Sequence, residues 1–280
     1  MSGPRHLAAL DRITLLYVGA LGLALAWVWR DGVPANWPWI ALAHTLLAVV
    51  ALLAGRLREA SPAGRFLADW YPLLLLGALY GAIGPINLEE ARVYDLVVQR
   101  WETALFGSQP SYEWIRAQPY PSLSWVLHLC YLLYYPTLYA SPLGLWMSGR
   151  RDAARATILA LMIAFYACYL VFVLFPVAGP RYMFPLADNP ATRVAPARLA
   201  QWILNQGDSW GAAFPSSHVA GCAVAAVMAL RAWRPLGLVL VPLAAGLSVG
   251  VVYGQFHYAV DALGGLVVAA LVLSVRARPR

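Results

Sequence analysis

The sequence contains no lysine, and charged residues of any kind are few. All 20 basic residues are arginines, and Asp, Glu, Lys and Arg together make up 12% of the 280 residues, against about 25% in an average soluble domain. The absence of lysine excludes a Schiff-base mechanism and a phosphate-binding loop that depends on lysine. Hydrophobic residues account for 61% of the chain, so the composition predicts a polytopic membrane protein that forms a single domain over 1–280.

Cysteine is also scarce, and its spacing has no metal or redox pattern. Cys130, Cys168 and Cys222 all lie in apolar segments, without a CxxC motif or a mixed Cys/His spacing, so a disulfide framework is not expected. The net charge of +7 comes from arginines spread among short loops. Because no basic stripe follows one face of the chain, we expect no nucleic-acid partner.

Apolar runs of about 20 residues, the length that spans a bilayer, occur eight times. They cover approximately 13–29, 38–54, 67–84, 124–146, 156–176, 217–233, 236–254 and 259–275. The sequence therefore predicts an all-α helical bundle of about eight transmembrane helices. The first two of these runs lie within 1–60, and the last six lie within 67–280. Pro136 predicts a kink in the fourth span.

Arginines occupy alternate segments between these spans, which predicts the orientation of the bundle. The residues that carry this pattern are Arg5, Arg12, Arg56, Arg58, Arg65, Arg150, Arg151, Arg155, Arg231, Arg234, Arg276, Arg278 and Arg280. Both termini are therefore predicted to be cytoplasmic, with 177–216 and 255–258 on the extracytoplasmic side.

A charged, amphipathic segment precedes the fourth span. Residues 93–106 are too polar to cross the membrane, and their apolar members can share one helical face. We predict a helix that lies along the membrane interface, with an ordinary loop helix as the alternative. The following stretch, 107–121, contains prolines, a glycine and aromatics, and predicts a membrane-surface loop.

The motif FPSSHVAG at 214–221 places polar side chains at the start of an apolar helix. Ionisable groups at membrane depth are costly and usually functional. Pro215 suits the first turn, and Ser216 and Ser217 follow at the helix entry, where free backbone N–H groups make an anion site. His218 would lie beside the bound anion.

The motif HYAVD at 257–261 supplies a second histidine with a carboxylate four residues later. If the segment is helical, His257 and Asp261 share a face. A carboxylate on one imidazole nitrogen fixes the tautomer and makes the other nitrogen a nucleophile or base. Arg181, in GPRYMFP at 179–185, can bind phosphate bidentately. These parts predict phosphoryl transfer without metal or cofactor.

Several other polar residues are interpreted as structural. Single histidines within helices usually have a packing role or a water-lined polar position rather than a catalytic one. Tyrosines on one helix more often pack in the core than line a pocket for a lipid headgroup. Asp208 precedes the serine motif and is interpreted as a loop residue. The residues in question are His44, His128, Tyr131, Tyr134, Tyr135 and Asp208.

In this order, GPRYMFP, FPSSHVAG and HYAVD resemble the three signature blocks of the type 2 phosphatidic acid phosphatase superfamily, K-x6-RP, PSGH and SR-x5-H-x3-D on a six-helix core. The resemblance implies that His257 is the nucleophile that forms a phosphohistidine and that Asp261 orients it. It implies that His218 protonates the leaving alkoxide, and that Arg181, Ser216 and Ser217 hold the phosphate.

The departures from this pattern point to one branch. No lysine matches the first block, Tyr182 stands where the proline would, and Gly250 and Val251 replace the serine–arginine pair. The second and third blocks are more similar to the aureobasidin-sensitive inositol phosphorylceramide synthases of sphingolipid metabolism and their bacterial relatives. This implies a transferase of lipid phosphoryl or phospho-headgroup units, with a lipid phosphate or phospholipid substrate and a polyol acceptor such as inositol.

Three alternatives remain at this stage. The same residues also suit a lipid phosphate phosphatase of the phosphatidic acid or polyprenyl phosphate type. Two histidines and a carboxylate, here His218, His257 and Asp261, also form a known catalytic zinc set, which a chelator would inactivate. A transporter or non-catalytic lipid-binding protein would instead require polar residues deep in several helices.

Overall fold

The computed structural model describes residues 7–87 and 93–275, which form helices and no β-strand. The helices are α1 (Ala9–Val28), α2 (Trp37–Ala60), α3 (Pro62–Leu74), α4 (Leu76–Gly81), α5 (Ile83–Asn87), α6 (Asp95–Phe106), α7 (Pro110–Ala117), α8 (Pro121–Leu132), α9 (Tyr134–Met147), α10 (Arg151–Leu174), α11 (Pro180–Met183), α12 (Ala195–Gly207), α13 (Ser217–Ala232), α14 (Arg234–Tyr253) and α15 (Ala259–Val275). A 3-10 turn at Pro190–Arg193 precedes α12.

Long apolar helices confirm the prediction of an all-α integral membrane protein. In the described ranges, α1, α2, α10 and α14 are each long and apolar enough to cross a membrane, and α13 and α15 are shorter apolar helices. The arginines at 5, 276, 278 and 280 on which part of the predicted orientation depends lie outside the described residues.

Two predicted spans are interrupted helices, and a proline accounts for a break in each. The span 124–146 is divided into α8 and α9 at Leu133, three residues before Pro136. The third span is divided in the same way at Ala82, three residues before Pro85. Proline lacks an N–H, and its ring crowds the carbonyl four residues earlier, so the helix cannot continue unchanged. The kink expected from Pro136 is therefore a break.

The segment between the third and fourth spans is more helical than the sequence predicts. The amphipathic helix expected over 93–106 is present as α6, which ends at Gly107 with the positive φ of 71° that favours glycine in a C-terminal cap. The expectation of a loop over 107–121 is wrong, because α7 forms within it. Pro110 begins α7 at a position where a helix tolerates proline well.

The central helices of the bundle are α10 and α13, which pack against each other and against α9 and α15. Their close approach depends on Gly221, where a Cβ atom would lie 2.6 Å from the Phe165 ring. At the end of the bundle where α13 and α15 begin, the Ser216 N–H donates to the Asp261 carbonyl at 2.9 Å. This bond ties the start of α13 to the start of α15.

The first two helices are held against the core by polar contacts at the opposite end of α10. Asp11, fully buried, receives two hydrogen bonds from the Arg58 guanidinium. Asp69 joins Arg58 to Arg155 near the start of α10. Arg155 is 19 residues before Leu174, the last residue of this helix, so at a rise of about 1.5 Å per residue the network lies roughly 29 Å from the other end of α10.

Candidate active site

The second and third sequence motifs meet at one small cavity, together with Arg181 from the first. The cavity has a volume of about 20 Å³, and its polar lining includes Arg181, Asp208, His218 and His257. His218 lies in the first turn of α13, and His257 lies in the turn between α14 and α15. The structure therefore brings together the two histidines that the sequence analysis placed in one site.

His257 is buried and held in a defined orientation. Its Nδ1 lies 3.0 Å from the carbonyl oxygen of Ala213 and 3.5 Å from Asp261 Oδ2. A carbonyl oxygen only accepts hydrogen bonds, so Nδ1 carries the proton and Nε2 keeps its lone pair. The tautomer expected from the HxxxD spacing is thus favoured, although the nearer acceptor is the Ala213 carbonyl.

Asp261 has a second partner besides the imidazole. Its Oδ2 accepts the backbone N–H of Tyr258 at 2.8 Å, and its side chain is fully buried. The carboxylate therefore fixes the turn that precedes α15 as well as the His257 ring.

Two polar nitrogen atoms in this cluster have no hydrogen-bond partner among the described residues. They are Nδ1 of His218 and Nη1 of Arg181, and both are buried. The ring centroids of His218 and His257 are 5.6 Å apart. Nη1 of Arg181 forms an ion pair with Asp208 at 3.6 Å but no hydrogen bond, so it can still donate to a ligand with acceptor oxygens.

Ser216 and Ser217 occupy the entry of α13 without lining the cavity. The Ser216 hydroxyl accepts the N–H of Val219 at 3.4 Å, which makes it the N-cap of the helix. The Ser216 N–H is also engaged, by the Asp261 carbonyl. The N–H groups of Ser217 and His218, which follow it at the start of α13, are the ones suited to anion binding, because the first N–H groups of a helix have no partner within it.

Asp208 belongs to the site, although the sequence analysis interpreted it as an ordinary loop residue. It follows α12 and lies 3.6 Å from Arg181 Nη1 through its Oδ2. The hydroxyls of Tyr80 and Tyr182 donate to it at 3.1 and 3.0 Å. Arg181 also donates to Asn205 Oδ1 at 2.7 Å, so two polar side chains from the region of α12 hold the guanidinium.

Helix α6 contributes a buried acidic residue that the sequence analysis did not assign to the site. Asp95 is 1% exposed. Its carboxylate accepts the N–H groups of Ala178 and Gly179 at 2.9 and 2.8 Å and the Tyr258 hydroxyl at 3.0 Å. One carboxylate thus joins the loop that carries Arg181 to the turn that carries His257.

A second acidic residue of α6 holds the start of α15. Glu102 is fully buried and accepts the N–H of Ala259 at 2.6 Å and the hydroxyl of Ser111 at 2.8 Å. Burial raises the pKa of Glu102 above its ordinary value, and burial likewise raises the pKa of Tyr258, with the neighbouring Asp95 charge adding to the effect. The spacing of Asp95, Val98 and Glu102 places all three on one face, which is the signal the sequence contained.

Two larger cavities flank the catalytic cavity. One of about 130 Å³, here called the tyrosine cavity, is lined by Tyr131, Tyr134, Tyr135, Ile203 and Leu204 and reaches His218. The other has a volume of about 310 Å³ and reaches Phe256. Its lining combines polar side chains with apolar ones, namely His128, Thr192, Arg198, Gln201, Asn205 and Gln255 with Ile115, Leu186 and Trp202. Tyr131 and Tyr134, which the sequence analysis interpreted as packing residues, are therefore buried and also line a cavity.

Two further histidines of the described residues, His44 and His128, are each satisfied within their own helix at one nitrogen. His44 Nδ1 lies 2.7 Å from the Ile40 carbonyl, and His128 Nδ1 lies 2.9 Å from the Ser124 carbonyl. Among residues 7–87 and 93–275, no three His, Cys, Asp or Glu side chains are grouped so that they could hold a metal ion. The zinc alternative therefore finds no ligand set in this part of the chain.

Comparison with protein-family models places the chain in a known family. The model of the PAP2 superfamily matches residues 96–275, which is more than half of the chain. This protein therefore belongs to the PAP2 superfamily, whose members are phosphatases or phosphotransferases, and it is an integral membrane enzyme of that kind. No curated protein and no solved structure matches it.

Proposed function

We propose that this protein is a lipid phosphotransferase that acts through a phosphohistidine on His257. The observation that carries the proposal is the arrangement of one small cavity, where a histidine with a free Nε2 lies opposite His218 and beside the unsatisfied guanidinium nitrogen of Arg181. Phosphoryl transfer requires mainly positioning and charge stabilisation, and this cavity supplies both.

The reaction follows from these positions. His257 Nε2 attacks phosphorus, while Arg181 and the first N–H groups of α13 bind the phosphoryl oxygens. The bond to the leaving oxygen breaks, and protonated His218 gives its proton to that oxygen. The Ala213 carbonyl and Asp261 hold the His257 ring throughout.

A hydroxyl acceptor then returns its proton to His218 and attacks the phosphohistidine. A lipid or polyol acceptor makes the enzyme a transferase of the inositol phosphorylceramide synthase type, and water makes it a lipid phosphate phosphatase. The lysine and the second arginine of the superfamily pattern are absent here, and their absence favours the transferase.

We place this site at the extracytoplasmic face, with both termini cytoplasmic. Arg231 and Arg234 lie where α13 ends and α14 begins, at the far end of these helices from His218 and His257. Arg58 and Arg155 lie beside the start of α10, also away from the site. Arginine-rich ends face the cytoplasm in membrane proteins, which supports this orientation.

A turnover assay of the purified protein in detergent with EDTA tests the function. Lipid phosphates and phosphodiesters are supplied with and without a hydroxyl acceptor, either myo-inositol or a long-chain lipid alcohol. We expect a new phosphodiester product only when an acceptor is present, and no product from the His257→Ala variant. Free phosphate from monoesters would identify a phosphatase instead. Substantial turnover by His257→Ala, or activity that requires added zinc, would overturn the mechanism.

A further inference from the structure

A separate cavity lies between α1 and α2, outside the region that the superfamily model matches. It has a volume of about 400 Å³ and shares no wall residue with the catalytic cavity or the two cavities that flank it. Most of its wall is apolar, with Leu21, Gly22, Leu25 and Ala41 among the residues that form it, and none of the described residues in the wall is charged. Because apolar surface favours apolar contacts, such a cavity in a membrane protein suits part of a lipid rather than a soluble ligand.

The most buried polar side chain in this wall is His44. The other two are Thr45 and Trp29, and the Trp29 Nε1 already donates to the Ile86 carbonyl at 3.4 Å. His44 is 8% exposed, and its Nδ1 lies 2.7 Å from the carbonyl oxygen of Ile40. A carbonyl oxygen only accepts hydrogen bonds, so Nδ1 carries the proton and Nε2 keeps its lone pair. No described residue donates to Nε2, so the cavity presents its occupant with an uncharged acceptor.

Tyr17 adds an unpaired donor beside His44. Its ring stacks on Tyr166 with centroids 4.2 Å apart and lies 6.4 Å from the His44 ring. Its hydroxyl is buried and has no hydrogen-bond partner among the described residues. Buried polar groups are normally paired, and an unpaired one needs an explanation. An alcohol complements both groups, because a hydroxyl donates one hydrogen bond and also accepts.

The depth of His44 in the membrane restricts the occupant further. His44 lies seven residues after Trp37, the first residue of α2, which is about 10 Å along the helix at a rise of about 1.5 Å per residue. The exposed side chains of Trp27, Trp37 and Trp39 mark the membrane interface at this end of α1 and α2. Because charges at this depth are costly, a charged headgroup stays at the interface. The group that meets His44 is therefore uncharged.

We infer that this cavity binds a neutral lipid alcohol, whose hydroxyl donates to His44 Nε2 and whose chains lie along the apolar wall. The ester carbonyls of a diacyl phospholipid only accept hydrogen bonds, so below its headgroup such a lipid has no donor for Nε2. The inference gives α1 and α2 a lipid-binding role. It goes beyond the proposed reaction and does not depend on it.

Photoaffinity labelling in a bilayer tests the inference. The purified protein in phosphatidylcholine nanodiscs receives, at equal mole fraction, a diacylglycerol or a phosphatidylcholine probe whose acyl chain carries the same diazirine and alkyne. We expect the diacylglycerol probe to label peptides of α1 and α2 about three- to tenfold more, the effect of one hydrogen bond, and unlabelled dioctanoylglycerol to displace it. Equal labelling by the two probes would mean bulk bilayer lipid only and would overturn the inference.

The same experiment on His257→Ala keeps this result separate from the proposed function. Binding in this cavity needs no turnover, so we expect the variant to be labelled like the wild type. A failure of the proposed reaction in turnover assays would therefore leave the lipid site standing, and loss of the diacylglycerol preference in an active protein would overturn the lipid site alone.

Two glycines of α1 provide a matched pair of variants. A Cβ atom at Gly22 or at Gly19 would meet no neighbouring atom within 4 Å, and of the two only Gly22 lines the cavity. We expect Gly22→Leu, which fills the cavity, to abolish the preference for diacylglycerol. Gly19→Leu should retain it, and the two variants should unfold at the same temperature. A preference that survives Gly22→Leu would overturn the assignment of the cavity.

Variants of His44 test the hydrogen bond itself. His44→Leu should lower labelling by the diacylglycerol probe to the level of the phosphatidylcholine probe. His44→Gln should retain part of the preference, because its amide oxygen is an acceptor. An undiminished preference in His44→Leu would overturn the role of Nε2.

Discussion

Replacing Asp95 with asparagine tests whether α6 fixes the loop that carries Arg181 relative to the turn that carries His257. The Asp95 carboxylate accepts two backbone N–H groups from the Arg181 loop and one hydroxyl from Tyr258. An amide has a single acceptor oxygen, so its NH₂ group must face at least one of these donors. Leaving a buried donor unpaired costs about 1–3 kcal/mol, and we expect the free energy of unfolding to fall by that amount.

The catalytic effect should exceed the effect on stability. Gly179 lies two residues before Arg181, and Tyr258 directly follows His257, so the substitution loosens both sides of the phosphoryl site. A displacement of about 1 Å in a positioned group can cost on the order of 10²-fold in rate. We therefore expect kcat to fall by about 10²-fold while KM for the lipid changes little, because Asp95 lines neither of the two flanking cavities.

Steady-state kinetics and thermal unfolding in the same detergent separate the two effects. Asp31→Asn is the matched control, since the Asp31 side chain is 85% exposed and lies in the loop between α1 and α2. Tyr258→Phe removes one of the three donors and should give a smaller change in the same direction. If Asp95→Asn unfolds at a lower temperature but retains the wild-type kcat, α6 stabilises the bundle without positioning the site, and our reasoning is refuted.

Two further predictions concern individual titratable groups. Loss of the general acid typically costs about 10²–10⁴-fold, so His218→Ala should lower kcat by that factor for a poor leaving group and by less for a good one; an equal effect on both substrates would contradict the acid role. Burial raises the pKa of Glu102 above the ordinary value of 4.5, so just above pH 4.5 the folded state retains a proton that the unfolded chain has released. Stability should therefore fall as the pH rises through this range, and Glu102→Gln should remove that slope in pH-dependent thermal unfolding; an unchanged slope would contradict it.

The parts of the fold that could be predicted are those that depend on local composition. Apolar length alone located α1, α2 and α10, because a bilayer-spanning run is a strong signal. The break at Leu133 was foreseen only as a kink, since Pro136 removes one hydrogen bond, and the surrounding packing decides whether the helix bends or ends. Helix α7 was missed because it has only eight residues and lies in a stretch whose glycine and prolines are typical of a loop.

The site shows the same division between local and long-range information. The adjacency of His218 and His257 could be predicted because each lies beside a helix start on the same predicted side of the membrane. The contributions of Asp95 and Asp208 could not, because they depend on contacts between segments far apart in the sequence. Asp95 reaches Tyr258 across 163 positions, and Tyr80 reaches Asp208 across 128.

Tyr182 gives a structural account of one departure from the superfamily pattern. It stands where a proline follows the phosphate-binding arginine, and its hydroxyl donates to Asp208 Oδ2 at 3.0 Å, the same oxygen that lies 3.6 Å from Arg181. Tyrosine at position 182 therefore holds the Asp208 carboxylate in place, and this carboxylate offsets the positive charge of the Arg181 guanidinium. Because the chain also lacks the lysine and second arginine of that pattern, the changes act in one direction: each lowers the positive charge available to the substrate phosphate.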